Sequence, residues 1–123
     1  MKATIFRTAE SEKDFQQAIY DLARYYHWRV AHFRAGMDRR GRWSTPMQGD
    51  TGFPDIVLCR PGRAVYAEVK VEPLSKGKLT PEQRAWLVTL HEAGHEVFVW
   101  RPSYWWQVVD VLSGVYVTSR SDR

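Results

Sequence analysis

Asp55, Glu68 and Lys70 are the residues whose types and spacing best support chemistry. The runs Asp55 to Arg60 and Ala64 to Val71 are rich in β-formers and are joined by Pro61-Gly62, in the order a tight turn prefers. If the chain turns there with Arg60 opposite Arg63, counting back sets Leu58 against Val65, Ile56 against Ala67 and Asp55 against Glu68. Directly opposed residues have Cβ atoms about 5 Å apart, and two carboxylates at that distance repel unless a cation stands between them. Lys70 lies two residues beyond Glu68 and therefore on the same face of the strand. Two oxygen ligands for a hard cation such as Mg²⁺ or Mn²⁺, with an ammonium beside them, suit phosphodiester hydrolysis. The cation holds the phosphate and acidifies the attacking water, and the lysine orients that water or offsets charge on the pentavalent phosphorus. Glu-x-Lys alone is equally the solvated face of an ordinary strand, so the weight falls on the aspartate that the turn places opposite.

The surrounding elements must hold that hairpin. Phe15, Ala18, Ile19, Leu22, Ala23 and Tyr26 recur at helical spacing after a capping Ser11, which predicts an amphipathic helix from about Glu12 to Tyr26. Trp28 to Phe33 reads as a strand. Residues 34–54 hold glycines, two prolines and arginines around Trp43 without an apolar period, and read as a long loop of the kind that is often functional. After the hairpin, Thr80-Pro81-Glu82-Gln83 supplies an N-cap, a proline at N1 and a capping-box glutamine, predicting a helix that runs to Ala93 before Gly94 stops it. Glu96 to Trp100 reads as a strand closed by Pro102, and Tyr104 to Leu112 as a last short helix. The order α-β-β-β-α-β-α predicts an α/β fold with a central mixed sheet flanked by helices. It forms one domain over 1–123, with a core of about 12–112 and a C-terminal tail at 113–123.

Four separated motifs then resemble a known family: Gly52-Phe53-Pro54-Asp55, Glu68-Val69-Lys70, Gln83-Arg84-Ala85-Trp86 and Val97-Phe98-Val99-Trp100-Arg101-Pro102. In this order they look like the VRR-NUC domain, a branch of the PD-(D/E)XK nucleases. That domain is related to Holliday-junction resolvases and is common as small stand-alone proteins in bacteria and their phages. The resemblance runs from about Glu12 to Pro102. It implies a restriction-endonuclease-like core, with Asp55, Glu68 and the Val69 carbonyl as Mg²⁺ (or Mn²⁺) ligands and Lys70 as the catalytic lysine. It further implies a DNA endonuclease of repair or recombination, acting on branched DNA. Two symmetric cuts in a four-way junction imply a two-fold homodimer, which exposed aromatics such as Trp105 would build.

The resemblance also gives roles to Glu12 and Gln83. Glu12 lies three and seven residues before Phe15 and Ile19, on the apolar stripe, where it either reaches the metal or a water beside it, or serves as a partner for the helix dipole. Gln83 shares a face with Trp86, Leu87 and Leu90 and either assists the site or caps Thr80; a single side chain does not easily do both, and the site role is the expectation.

His91-Glu92-Ala93-Gly94-His95 matches the zincin pattern H-E-x-x-H, in which two histidines one turn apart bind zinc. A helix stopped by Gly94 would not align the pair, and only His27 and His32 remain as further ligands, so a protease is a remote alternative. A DNA-binding module without catalysis, or a nuclease subunit directed by a partner, is the nearer one.

The composition suits these readings. With 123 residues, 44% apolar and 14% aromatic, the chain can bury one core. The net charge of +4 is local: Arg34, Arg39, Arg40 and Arg42 cluster near Trp43, and Lys76 and Lys78 follow the hairpin. Such patches favour a polyanion, with the arginines on phosphates and Trp43 either stacked on a base or folded back onto the domain. No apolar stretch approaches the roughly 18 residues of a membrane span, and no secretory leader is evident, so the cytosol is the expected location; the resemblance implies association with nucleoid DNA. Cys59, the only cysteine, lies in the run Ile56 to Cys59 and is expected to be a buried, inert thiol.

Overall fold

The computed structural model describes residues 12–33, 36–37, 39–41, 43–44, 48–71 and 77–115. The first helix, α1 (Glu12–Tyr25), turns its apolar stripe inward: Phe15, Ile19, Leu22 and Ala23 are all buried. Strand β1 (Arg29–His32) follows, then two short strands, β2 (Gly36–Met37) and β3 (Trp43–Ser44). The hairpin is β4 (Ile56–Arg60) and β5 (Arg63–Val69), and the chain continues through α2 (Pro81–Glu92), β6 (Glu96–Trp100), a 3-10 turn at Pro102–Tyr104 and α3 (Trp105–Ser113).

The main sheet has the order β1-β4-β5-β6, antiparallel except for the parallel β5–β6 pair, whose crossover is α2. This is the mixed sheet flanked by helices that the sequence predicts. The hairpin register also agrees: Arg60 faces Arg63, Leu58 faces Val65 and Ile56 faces Ala67. The period of two then sorts side chains between faces. Ile56, Leu58, Val65, Ala67, Val69 and Trp100 pack with α1 and with Trp105, Val108, Val111 and Leu112 of α3 into one buried cluster. Each such fully buried aliphatic or aromatic side chain contributes roughly 1.5–3 kcal/mol. Trp28 closes the cluster at its far end; its indole donates to Leu112 O at 2.8 Å, and the Arg60 and Arg63 guanidiniums lie over its ring.

Several expectations are corrected. Cys59 is exposed, because it alternates with buried Leu58 and points to the other face of the sheet, at the β4 end. The other face is covered by α2 only in part, and Leu87 is the one buried residue of that helix. The segment read as loop contains a two-stranded ribbon, Gly36 opposite Ser44 and Met37 opposite Trp43, too short to leave a period in the sequence. Trp105, expected as a candidate dimer contact, is 7% exposed and packs edge-on to Phe15, whereas Trp106 is 59% exposed. Ser11, the expected cap of α1, lies outside the described residues.

Candidate active site

Asp55 stands one residue before β4 and Lys70 one residue after β5, at the end of the sheet where the hairpin strands part. Pairing stops at Ile56 and Ala67, so Val69 has no β4 partner for its N–H; the Asp55 carboxylate takes that place, with Oδ2 accepting from Val69 N at 2.9 Å. In a strand, a residue's N–H and C=O point to the same edge. The Val69 carbonyl is therefore aimed at the edge where Asp55 stands, while Lys70 N–H turns the other way, to Trp100 O at 3.0 Å. The Asp55 backbone is held as well, its carbonyl accepting from Phe33 N at 2.8 Å.

Glu68 is buried, 2% exposed, on the α2 side of the sheet. Its Oε2 accepts from Gln83 Nε2 at 3.1 Å and lies 3.7 Å from Lys70 Nζ. Its Oε1 is buried without a hydrogen-bond donor among the described residues. Burial comes first, and then the neighbouring Asp55 carboxyl, which can bond Glu68 only when a proton lies between them and otherwise repels it as a charge; together they push the Glu68 pKa up to about 9, against the opposing pull of Lys70. The sign shows which effect wins: one ammonium at this distance does not repay the burial of Glu68 and the carboxyl beside it. A proton on the carboxyl, or a cation beside it, would satisfy Oε1.

Gln83 reaches Glu68 because α2 starts where it does. The capping box is complete, with Thr80 Oγ1 accepting from Gln83 N at 3.1 Å and Gln83 Oε1 accepting from Thr80 N at 3.0 Å. The expectation that Gln83 must choose between cap and site is wrong, because the amide uses its oxygen for the cap and its nitrogen for Glu68. Gly52 sets the spacing between this turn and the Asp55 segment. A Cβ there would lie 2.7 Å from Glu82 C and 2.8 Å from Gln83 N, and the backbone has φ +95. Phe53 then packs edge-on to Trp86 and Tyr66, and the Trp86 indole donates to Asp50 O at 3.2 Å.

Glu12, in the first turn of α1, interacts electrostatically with Asp55 and Lys70. Much of the residue is open to solvent, yet partial desolvation, followed by the Asp55 charge, raises its carboxyl pKa, and Lys70 works against that rise. Among the described residues, no three His, Cys, Asp or Glu side chains converge to chelate a metal by themselves. The oxygen donors at the hairpin end are the two carboxyls and the Val69 carbonyl. Mg²⁺ commonly takes one or two carboxylates and fills its shell with water and phosphate, so this set fits such an ion, and the orphaned Oε1 is the atom it would satisfy.

Of the basic candidates, Arg39, Arg40 and Lys78 are exposed. Arg34, Arg42 and Lys76 lie outside the described residues, as does the side chain of Trp43, whose backbone forms β3. The H-E-x-x-H pair does not assemble: α2 ends at Glu92, Gly94 has φ +93, and His95 leads into β6 with its ring edge-on to Tyr66. Sequence reasoning assigned nothing to Arg101, which donates to Val71 O at 3.1 Å and pins the chain leaving Lys70. Gln16 was passed over, although an amide four residues after Glu12 on the apolar stripe was a readable signal, and His32, weighed only as a further zinc ligand, instead bonds Gln16.

No family model, curated protein or solved structure matches this chain. No described helix is long and apolar enough to cross a membrane.

Proposed function

We propose that this protein is a divalent-metal-dependent DNA endonuclease of the PD-(D/E)XK kind that hydrolyses phosphodiester bonds at the Asp55, Glu68 and Lys70 cluster. The observation that carries this reading is the Glu68 carboxyl, buried against Asp55 with one oxygen lacking any donor among the described residues. Asp55, Glu68 and the Val69 carbonyl are the residues that would hold a Mg²⁺ or Mn²⁺. Such an ion supplies a grip on the scissile phosphate and a more acidic attacking water. Gln83 and Lys70 hold Oε2 of Glu68, leaving Oε1 for the ion. Val69 N–H fixes the rotation of Asp55 in the same way. The Lys70 side chain is 15% exposed, and its ammonium would orient the nucleophile or offset charge on the phosphorane. Exposed Arg39, Arg40 and Lys78 supply cations for phosphates.

The substrate class rests on the resemblance to VRR-NUC domains and is branched DNA, with the four-way junction as its symmetric case. Paired cuts there require a two-fold dimer, for which exposed Tyr104 and Trp106 are available in place of Trp105. One observation favours a DNA-binding module without catalysis: Asp55 already has a structural task, completing the ladder at Val69.

Incubating wild type and Asp55→Ala with labelled four-way junction and linear duplex, in Mg²⁺, Mn²⁺ or EDTA, separates these readings. Metal-dependent nicking that disappears in the variant is the expected outcome, and a preference for the junction makes the enzyme a resolvase. Binding by both proteins without cleavage of either substrate would leave the DNA-binding module.

A further inference from the structure

The buried stripe of α1 contains one polar residue. Gln16, between Phe15 and Ile19, is 7% exposed, and an amide left unbonded in such surroundings costs roughly 1–3 kcal/mol. Both of its polar atoms are engaged. Oε1 lies 2.6 Å from His32 Nε2, and Nε2 lies 3.5 Å from Glu12 Oε1, one helical turn back. His32 ends β1 opposite Ile56, and the next residue, Phe33, donates to the Asp55 carbonyl. The string Glu12, Gln16, His32 therefore spans from the first turn of α1 to the strand ends that carry Asp55.

Polarity gives the string one direction. An ionised Glu12 can only accept, so Gln16 turns its NH₂ toward it and its carbonyl toward His32, and Nε2 of His32 must carry a hydrogen. The short bond to His32 fixes Gln16, and the longer bond to Glu12 guides the carboxylate whose charge is felt at Asp55, Glu68 and Lys70.

We propose that Gln16 and His32 are positioning residues that hold the Glu12 carboxylate toward the Asp55 and Glu68 carboxyls, and so set how tightly a divalent cation is held there. This rests on the metal-dependent reading of the site. Removing a partner of this kind typically weakens metal affinity by about tenfold or more. A pair that merely satisfied its own polar atoms would change melting temperature and leave cation affinity alone.

Mn²⁺ binding to the full chain, measured by calorimetry without DNA, tests the proposal on wild type, Glu12→Gln, Gln16→Leu, the double variant, His32→Leu and His32→Gln. Gln16→Leu and His32→Leu are expected to bind Mn²⁺ about tenfold more weakly. The double variant should bind no more weakly than Glu12→Gln alone, because Gln16 acts through Glu12. His32→Gln, which keeps an N–H donor, should recover most of the affinity lost in His32→Leu. Wild-type affinity in Gln16→Leu, or losses that multiply in the double variant, would overturn the proposal. Should Gln16→Leu fail to melt cooperatively, the two His32 variants decide, and equal affinities in them overturn it. A wild type that binds no Mn²⁺ removes the nuclease reading and this inference with it, an outcome distinct from tight binding that Gln16→Leu leaves intact.

Discussion

Glu68 is a buried acid whose ionised form the fold disfavours. With its pKa raised to about 9 in the fold, against an ordinary 4.5 when unfolded, the native state holds a proton that the unfolded chain has released over the interval between those values. Native protein binds more protons there, so the metal-free protein loses stability as pH rises through that window. Glu68→Gln keeps the shape, cannot ionise, and removes the slope. Thermal melts of metal-free protein between pH 5 and 9 should show the variant gaining steadily over wild type as pH rises through that window. A variant that melts lower than wild type throughout would mean that Glu68 is a structural partner of Gln83 and Lys70 rather than a strained ligand. The residue pair itself was legible in the sequence, because a two-residue turn and a period of two fix which side chains meet. The bond from Asp55 to Val69 N–H was not, because it forms beyond the last strand pairing.

At the scale of elements, the N-terminus of α2 joins stability to the site. Thr80-Pro81-Glu82-Gln83 announced a helix start, and the capping box is present in full. The sequence could not show that Gln83 divides its two amide atoms between cap and Glu68, since that depends on Gly52 letting the Asp55 segment approach the first turn. The two tasks can be separated. Thr80→Ala removes one cap acceptor and should cost about 1 kcal/mol of stability while leaving cleavage within a few-fold of wild type. Gln83→Leu also strips a donor from Glu68 and should lower cleavage about tenfold or more. Denaturant titrations and single-turnover assays on both variants check this, and equal activities would confine Gln83 to the cap. The β2–β3 ribbon was illegible for a different reason: two residues per strand give no period to read.

For the whole molecule, the charge balance of +4 and the α/β architecture were both legible in the sequence, whereas the exposure of Cys59 was not. An apolar run says that a strand is present but not how far a helix covers its second face, and α2 stops short of the β4 end. The excess charge bears on DNA affinity. Neutralising Arg39 and Arg40 together should weaken binding to every DNA substrate and reduce the slope of log affinity against log salt by about 0.9 for each phosphate that these side chains neutralise. Fluorescence-anisotropy titrations at several salt concentrations read that slope, and an unchanged slope would place these arginines away from DNA.

The proposed chemistry requires that the Asp55 and Glu68 carboxyls exchange a proton for a divalent cation. Calorimetric titration of Mn²⁺ into the protein near pH 7.5, repeated in buffers of different ionisation enthalpy, measures affinity and proton release together. The expected result is one binding event that releases close to one proton per ion and disappears in both Asp55→Ala and Glu68→Gln. Binding that persists in both variants, or no binding to wild type, would contradict it.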